Sequence, residues 1–268
     1  MRVLTVAVCG IAGLIAASAS VHAAPNLVVN GDFEQFVNPS ATPSSSYMVK
    51  TVNNANNPNG GTLTGWTNDG YSFLFNAGTA DTTGAYNSEY NQTFKLYGPG
   101  NGVANGLTAS SPTGGNFLAS DGVYQTGAIS QTISGLTVGY AYTLSFNWAA
   151  GQQAGYPGDT TDSWGVTFGG QTYSTPTVSL LGGEKPGGGF APWRQAVFTF
   201  VPTSATQTLS FLAAGTPPNG SPPFALLDSV SLTATPEPAT WAIMAVGLLG
   251  VSLVCRRSRR RLPAAELA

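Results

Sequence analysis

Residues 140–148 read Tyr140-Ala141-Tyr142-Thr143-Leu144-Ser145-Phe146-Asn147-Trp148, and this stretch decides the fold. Large apolar or aromatic side chains occupy every second position from Tyr142 to Trp148, and small polar side chains lie between them. Successive side chains of a β-strand point to opposite faces of the sheet, so this alternation predicts a strand with one buried face.

Similar short runs recur along the chain, separated by clusters of Gly, Pro and Asn, and no long segment has a helical period. Many short strands with such turn signals are typical of an all-β sandwich. We therefore expect an antiparallel β-sandwich with three long loops, at 53–61, 76–89 and 98–115. The further predicted strands are Asn26–Asn30, Phe73–Phe75, Asn116–Ser120, Ala128–Ile133, Trp164–Phe168, Gln171–Tyr173, Arg194–Val201, Thr206–Ala213 and Leu227–Thr233.

The C-terminal segment 235–261 has a different composition from the rest of the chain. A Pro-Glu-Pro triplet is followed by an apolar run, Ala239–Cys255, of 17 uncharged residues. That length is at the short end for a transmembrane helix, and dense positive charge after it holds that side in the cytoplasm. A plain membrane anchor is the simplest interpretation. The residues that carry the pattern are Pro236, Glu237, Pro238, Trp241, Arg256, Arg257, Arg259, Arg260 and Arg261.

This combination resembles the PEP-CTERM sorting signal of Gram-negative bacteria, with the triplet Pro236-Glu237-Pro238 as its diagnostic part. The resemblance implies recognition by an exosortase, a membrane cysteine protease, with cleavage near the triplet. It also implies transfer of the preceding domain to the cell surface or extracellular matrix. Sorting signals of this kind usually end at the Arg cluster. In this chain residues 262–268 follow the cluster, and we expect them to form a short cytoplasmic tail.

The N-terminal residues 1–23 have the three parts of a secretory signal peptide. Arg2 supplies positive charge, Val3–Ala19 is an apolar helical run, and Val21-His22-Ala23 offers small residues for signal peptidase. An uncleaved anchor helix is the alternative. The expected organisation is thus a signal peptide, a β-sandwich domain at 24–234, and the sorting signal.

Composition excludes several functions for the domain at 24–234. Both cysteines, Cys9 and Cys255, and the single histidine, His22, lie outside it. Disulfides, Ser-His or Cys-His nucleophiles and His-based zinc sites are therefore excluded. Four basic residues stand against ten acidic ones, which leaves a net charge near −6. Such a surface lacks the Lys and Arg that phosphate contacts need, so we expect no nucleic-acid partner.

The two ends of the domain carry a second pattern. Asn26–Glu34 and Leu227–Leu232 resemble the termini of galactose-binding-like jelly rolls, which include carbohydrate-binding modules. The resemblance implies a jelly-roll fold and a structural Ca²⁺ near the paired termini. Asp228 shares strand parity with Val230 and Leu232, so we expect it to point inward and to need a partner.

Asp32, Glu34 and Asp228 are the candidate calcium ligands, because carboxylates with a backbone carbonyl are hard oxygen donors. The alternative is that Asn30, Asp32 and Asp228 only cap turns. The chain requires no other cofactor.

Aromatic residues near two loops form a candidate glycan site. Trp164 and Trp193 border the loops at 151–163 and 182–192, and Tyr156 lies between Gln152-Gln153 and Trp164. Sugars stack on such rings, whereas amides bind the hydroxyls. The alternative is that these rings belong to the core, as we expect for Trp148.

These observations predict an exported, non-catalytic surface or matrix protein, associated with biofilm and binding carbohydrate by fold analogy. Its expected partners are signal peptidase, exosortase, and an exopolysaccharide or surface glycan. The C-terminal helix would hold it in the inner membrane before processing. One alternative is an adhesin-like matrix protein without a ligand. Another is a glycoside hydrolase using two of the carboxylates Asp121, Asp159, Asp162, Glu184 and Asp228.

Overall fold

A computed structural model describes residues 24–37, 46–49, 60–87, 92–108, 110–217, 221–235 and 249. The signal peptide and nearly all of the sorting signal therefore lie outside the described residues. Within them, the chain forms β-strands and one short 3₁₀ turn at Pro99–Asn101, apart from the helical position Leu249.

The strands, in chain order, are β1 (Phe36–Val37), β2 (Ser46–Met48), β3 (Thr62–Leu63), β4 (Thr67–Asn68), β5 (Ser72–Phe75), β6 (Ala85–Asn87), β7 (Gln92–Phe94), β8 (Phe117–Asp121), β9 (Ile129–Ser134), β10 (Tyr142–Gln152), β11 (Thr160–Phe168), β12 (Gln171–Ser174), β13 (Val178–Leu180), β14 (Phe190–Phe200), β15 (Thr206–Thr216) and β16 (Pro223–Ala234).

Two sheets make the sandwich, which confirms the all-β prediction. One has the order β14-β10-β16-β8-β5-β2-β6-β7, and the other has the order β12-β11-β15-β9-β4, with β13 beside β11. A small pair, β1-β3, lies apart. Nearly all pairings are antiparallel; β2 and β6 are parallel. We call the two large sheets the eight-stranded and the six-stranded sheet.

Strand β10 lies near the centre of the packing. It pairs with β14 on one side and β16 on the other. Tyr142, Leu144, Phe146 and Trp148 are all buried in the core between the sheets, as the alternation predicts. After Trp148 the alternation ends, and the strand is buried on both faces through Gln152.

A second apolar cluster explains this double burial. It lies on the outer face of the eight-stranded sheet and joins Phe73, Phe117 and Phe224 of β5, β8 and β16 to Phe94 of β7 and to Leu107. The latter two come from residues 76–87 and 92–116, which we call the covering segment. Two of the predicted loops thus lie in a segment that contains the 3₁₀ turn and the strands β6 and β7, which end the order of the eight-stranded sheet, and that packs on the outer face of its other strands.

Side-chain amides fasten the covering segment. Asn101 donates from Nδ2 to Leu96 O at 2.7 Å, and Asn105 donates to Tyr97 O at 2.8 Å and Gly188 O at 2.9 Å. These bonds satisfy carbonyls that no strand neighbour pairs, so the segment holds a fixed shape over the sheet.

Two sequence predictions about strands are wrong. Asn26–Asn30 is not a strand, although Leu27 N donates to Leu232 O at 2.9 Å. Asp228 does not share a face with Val230, because the pairing of β10 with β16 shifts between Ser145 and Asn147. Ser229 has a φ of 54° at this bulge. The extra residue turns Asp228 to the face opposite the core, where it is nevertheless buried.

Candidate functional site

A cleft lined by aromatic and polar side chains lies at one end of the second apolar cluster. Its volume is about 320 Å³, and we call it the tyrosine cleft. Three tyrosines, two glutamines, one carboxylate and one serine contribute to its wall. The described lining residues are Tyr71, Gln92, Phe94, Asp121, Val123, Tyr124, Gln153, Tyr156, Pro217, Ser221 and Pro222.

A tight turn after β8 presents Tyr124. Asp121 ends the strand, and its Oδ1 accepts hydrogen bonds from Val123 N at 2.8 Å and Tyr124 N at 2.9 Å. Tyr71 holds the turn from the other side, since Tyr71 N donates to Gln125 O at 3.1 Å. The rings of Tyr71 and Tyr124 pack edge to face at 5.1 Å. The Tyr124 ring is therefore fixed at the rim although it is 46% exposed.

A second turn, between β10 and β11, presents Tyr156. The hydroxyl of Tyr97 donates to Tyr156 O at 3.3 Å, and Gly158 N donates to both oxygens of Glu184 at 3.1–3.2 Å. Gly158 has a φ of 106°, a conformation that favours glycine. The Tyr156 ring is 41% exposed. Two exposed rings thus stand at the same cleft on separately anchored turns.

Polar groups line the same cleft as these rings. Gln153 is buried and hydrogen-bonded through its backbone to Pro222 O at 3.3 Å, whereas Gln92 is exposed on β7. Ser221 donates its hydroxyl to Pro157 O. Amides and a carboxylate between aromatic rings can bind hydroxyl groups of a ligand while the rings take its apolar faces.

Asp121 is the charged group of the cleft. Burial raises the pKa of this carboxyl to about 6, although the two backbone hydrogen bonds act in the opposite direction. At neutral pH most of the population is therefore ionised. Of the described residues that line the cleft, Asp121 alone carries a charge.

A second carboxyl, Asp162, lies deeper in the sandwich. It is completely buried on β11, and neither of its oxygens has a hydrogen-bond partner among the described residues. Burial raises its pKa well above the ordinary value, and the charge of Asp121 raises it further. The two sites are linked through the backbone: Asp162 pairs with Gly215, whose N donates to Gly122 O at 3.1 Å.

The structure separates the ligand-binding residues predicted from the sequence. The prediction that Trp164 binds a ligand is wrong. Its side chain is 0% exposed, and its indole N–H donates to Leu226 O at 3.0 Å. A ring in the core cannot stack on a ligand. It lies there because β11 begins at Thr160, within the stretch predicted as a loop. Gln152 is likewise buried and binds Gly183 N and Gly158 O.

Trp193 is partly exposed but lies at a different depression. Its ring packs edge to face on Phe117 at 5.5 Å and borders a groove of about 480 Å³ with Phe190 and Pro192. Of the three predicted binding residues, only Tyr156 reaches the tyrosine cleft. No periodic pattern in the sequence marks Tyr124 or Gln92. An Asp followed by Gly, as at Asp121-Gly122, is a turn signal that could have marked Tyr124.

The other candidate carboxylates do not join Asp121 at the cleft. Asp159 forms an exposed ion pair with Lys185, and the hydrogen bond from Lys185 lowers the pKa of Asp159. Glu184 holds the turn at Gly158. Asp228 accepts a hydrogen bond at Oδ2 from the Thr113 hydroxyl at 2.8 Å.

Two of the three predicted calcium ligands, Glu34 and Asp228, contact one loop, residues 111–116. Glu34 Oε1 accepts from Asn116 N at 2.6 Å, and Thr113 of the same loop reaches Asp228. Asp228 Oδ1 is buried without a donor among the described residues, which suits a metal ligand. Asp32 is exposed. The described part of the chain holds no group of three or more His, Cys, Asp or Glu arranged for a metal ion. The calcium site stays a prediction.

Solved structures with a similar fold include sugar-binding modules. TmCBM61, solved with β-1,4-galactotriose, is 12% identical, with a TM-score of 0.37 and coverage of 79% of this chain and 99% of that one. A putative sugar-binding protein from Bacteroides thetaiotaomicron is 11% identical, with a TM-score of 0.34 and coverage of 79% and 100%. The arabinose-bound α-L-arabinofuranosidase MgGH51 is 14% identical, with a TM-score of 0.35 and coverage of 81% and 27%. At these identities and TM-scores, the matches carry no argument about this chain. No curated protein sequence matches the chain.

The C-terminal segment has a clear sequence match. Among the described residues, none belongs to a helix with the length and apolar character needed to cross a bilayer, and most of 235–261 lies outside them. The family description "PEP-CTERM protein-sorting motif" matches residues 234–261, which contain the Pro-Glu-Pro triplet and the Arg cluster. The chain carries a PEP-CTERM protein-sorting motif.

Proposed function

We propose that the chain is an exported, non-catalytic protein whose β-sandwich binds a glycan in the tyrosine cleft. The observation that carries this proposal is the pairing of two exposed rings, Tyr124 and Tyr156, with the polar groups of Gln92, Gln153 and Asp121 in one cleft. Aromatic platforms with a few convergent hydrogen-bonding groups are the usual composition of a small-ligand site, and they suit the mixed surface of a sugar.

The cleft is also rigid enough to bind. Hydrogen bonds to Asp121 fix the Tyr124 turn, and contacts from Tyr97 and Glu184 fix the Tyr156 turn. A ligand therefore orders few side chains, and less of its interaction energy is lost to conformational entropy.

The sorting motif supports the route of export. In the proposed order, residues 1–23 act as a signal peptide removed by signal peptidase, and the apolar run after Pro238 spans the inner membrane transiently. An exosortase then acts near the triplet, and the domain at 24–234 reaches the surface or extracellular matrix of a Gram-negative cell. We also propose that the exported protein has a role in biofilm. The strands of its sandwich are proposed to be connected as a jelly roll.

Catalysis is the less favoured alternative. Glycoside hydrolysis commonly uses two carboxyl groups that flank the scissile bond. Among the described lining residues Asp121 is the single carboxylate, and Asp162 is closed off in the core. A purely structural role is the remaining alternative, and the two exposed rings at one cleft favour binding over it.

A glycan array tests the proposal, using the full-length chain in a sugar-free detergent. We expect binding to one or more neutral or amino-sugar oligosaccharides. Tyr124→Ala and Tyr156→Ala should each weaken it about tenfold, the scale of losing an aromatic contact at an interface centre. Tyr140→Ala is the matched control, because Tyr140 is 50% exposed and lies outside the cleft. A folded protein that binds no glycan, or equal losses in all three variants, would reject the proposal.

A further inference from the structure

The charge of the tyrosine cleft narrows the class of glycan, if the proposed function holds. Asp121 is the one charged residue among the described lining residues. The described basic side chains are engaged elsewhere: Lys185 pairs with Asp159, and the Arg194 guanidinium lies 5.7 Å from the Trp148 ring centroid. Lys95 is also absent from the described lining. Among the described residues, the lining of the cleft therefore presents a single negative charge without a counter-ion.

The carboxylate is held in place for a ligand. Both backbone donors of the turn, Val123 N and Tyr124 N, bind Oδ1, while Oδ2 accepts no hydrogen bond from the described residues. Asp121 is 3% exposed, so its charge is poorly hydrated. A buried charge gains most from a partner of opposite sign, because water no longer screens it.

Asp162 cannot supply that partner. It is a second carboxyl on the inner side, and its own pKa is raised well above the ordinary value, in part by the charge of Asp121. The negative charge of the site therefore remains on Asp121. An anionic glycan such as a uronate polymer would be repelled, and a neutral glycan would leave the charge without a counter-ion.

We propose that the tyrosine cleft selects glycans that carry free amines, that is, N-deacetylated amino sugars, through an ion pair between the sugar ammonium and Asp121. The rings of Tyr124 and Tyr156 take the sugar faces, as in the proposed function. The net charge of the domain, with ten acidic against four basic residues, favours the approach of a polycationic chain.

Matched oligosaccharides test this selectivity: glucosamine oligomers, their N-acetylated forms and uronate oligomers, each titrated by calorimetry against the full-length chain at pH 7. We expect the amine form to bind at least about tenfold tighter than the N-acetylated form.

Asp121→Asn is the decisive variant, since the amide oxygen can still accept the two backbone hydrogen bonds. The ratio of amine to N-acetyl affinity should fall to about one. Asp159→Asn, which removes an exposed charge outside the cleft, should leave the ratio unchanged. Equal binding of both forms by the wild type, or a ratio that survives Asp121→Asn, would overturn the inference while the proposed function stands. Binding of no glycan at all would overturn the proposed function itself.

Discussion

At the scale of single residues, Asp162 is the group most at odds with its surroundings. It lies on β11 in the core with both oxygens unpartnered among the described residues, and Thr160 Oγ1 on the same face is also unpartnered. An ionised carboxylate without donors is costly in such a place, so the side chain holds its proton. Asp162 therefore keeps its proton in the folded protein to a higher pH than an ordinary Asp does, because burial raises its pKa.

This neutrality makes stability depend on pH. Because the folded-state pKa is raised, Asp162 binds a proton more tightly in the folded than in the unfolded protein. Its contribution is fully present below the unfolded pKa of about 3.9 and is lost as the pH rises toward the folded pKa. Asp162→Asn removes this titration. We expect the variant to gain stability relative to wild type as the pH rises above the unfolded pKa, by at most about 1.4 kcal/mol for each pH unit until the folded pKa is reached.

Urea unfolding between pH 4 and 8 measures the effect as the difference between variant and wild type. Asp159→Asn is the control, because Asp159 is exposed and its pKa is lowered rather than raised. The difference curve for Asp162→Asn should rise with pH, whereas that for Asp159→Asn should not. A flat difference curve for Asp162→Asn would show that Asp162 titrates normally.

At the scale of elements, strand β10 contributes side chains to the core and leads directly into the tyrosine cleft. Its first half alternates between core and surface, and its second half runs beneath the covering segment toward Gln153 and the Tyr156 turn. The rings of Phe146 and Phe211 meet edge to face at 5.1 Å across the two sheets. The buried ring of Phe146 on the eight-stranded sheet therefore packs directly against the six-stranded sheet.

Phe146→Ala should lower the free energy of unfolding by about 3–5 kcal/mol, because it removes a buried ring and leaves a cavity between the sheets. Val197 lies on the neighbouring strand β14 and is 55% exposed, so Val197→Ala should change stability by less than about 0.5 kcal/mol. Chemical denaturation at pH 7 compares the two. Equal losses would mean that the alternation of β10 does not define the core.

The elements also show what the sequence could predict. The alternation in Tyr142–Trp148 specified a strand and its buried face because side-chain period and burial coincide there. The same logic failed at Asp228, since one extra residue, Ser229, reverses parity and leaves no mark in the hydrophobic pattern. Thr160–Ser163 looked like a surface turn, because Asp and Thr are common in turns and rare in a core.

At the scale of the whole molecule, the sandwich has two apolar clusters, and this arrangement sets the location of the site. The first lies between the sheets, and the second lies under the covering segment on the outer face of the eight-stranded sheet. The covering segment fills much of that face with its own side chains. The tyrosine cleft forms where this covering ends, between the turns of Tyr124 and Tyr156.

The location of the cleft could not be predicted from the sequence. It depends on contacts between residues far apart in the chain, such as Tyr71 with Gln125 and Tyr97 with Tyr156. The composition of the chain and the pattern of its C-terminal segment, by contrast, can be recognised without knowing which distant residues are in contact. They predicted the sandwich class and the sorting motif without any knowledge of packing.

The last prediction concerns calcium binding where the two ends of the domain meet. Glu34 near the first residues and Asp228 on the last long strand are joined through the loop at 111–116, and Asp228 Oδ1 has no donor among the described residues. If Ca²⁺ binds there, it stabilises the folded state by mass action, by about 2.7 kcal/mol at a hundredfold excess over Kd.

Excess EDTA should then lower the melting temperature by about 5 °C or more, and Ca²⁺ should restore it. Asp228→Asn should melt at a temperature that neither EDTA nor Ca²⁺ changes, while Asp159→Asn should respond as the wild type does. Superimposable wild-type melting curves with and without EDTA would mean that Asp32, Glu34 and Asp228 serve only the turns and the loop that they contact.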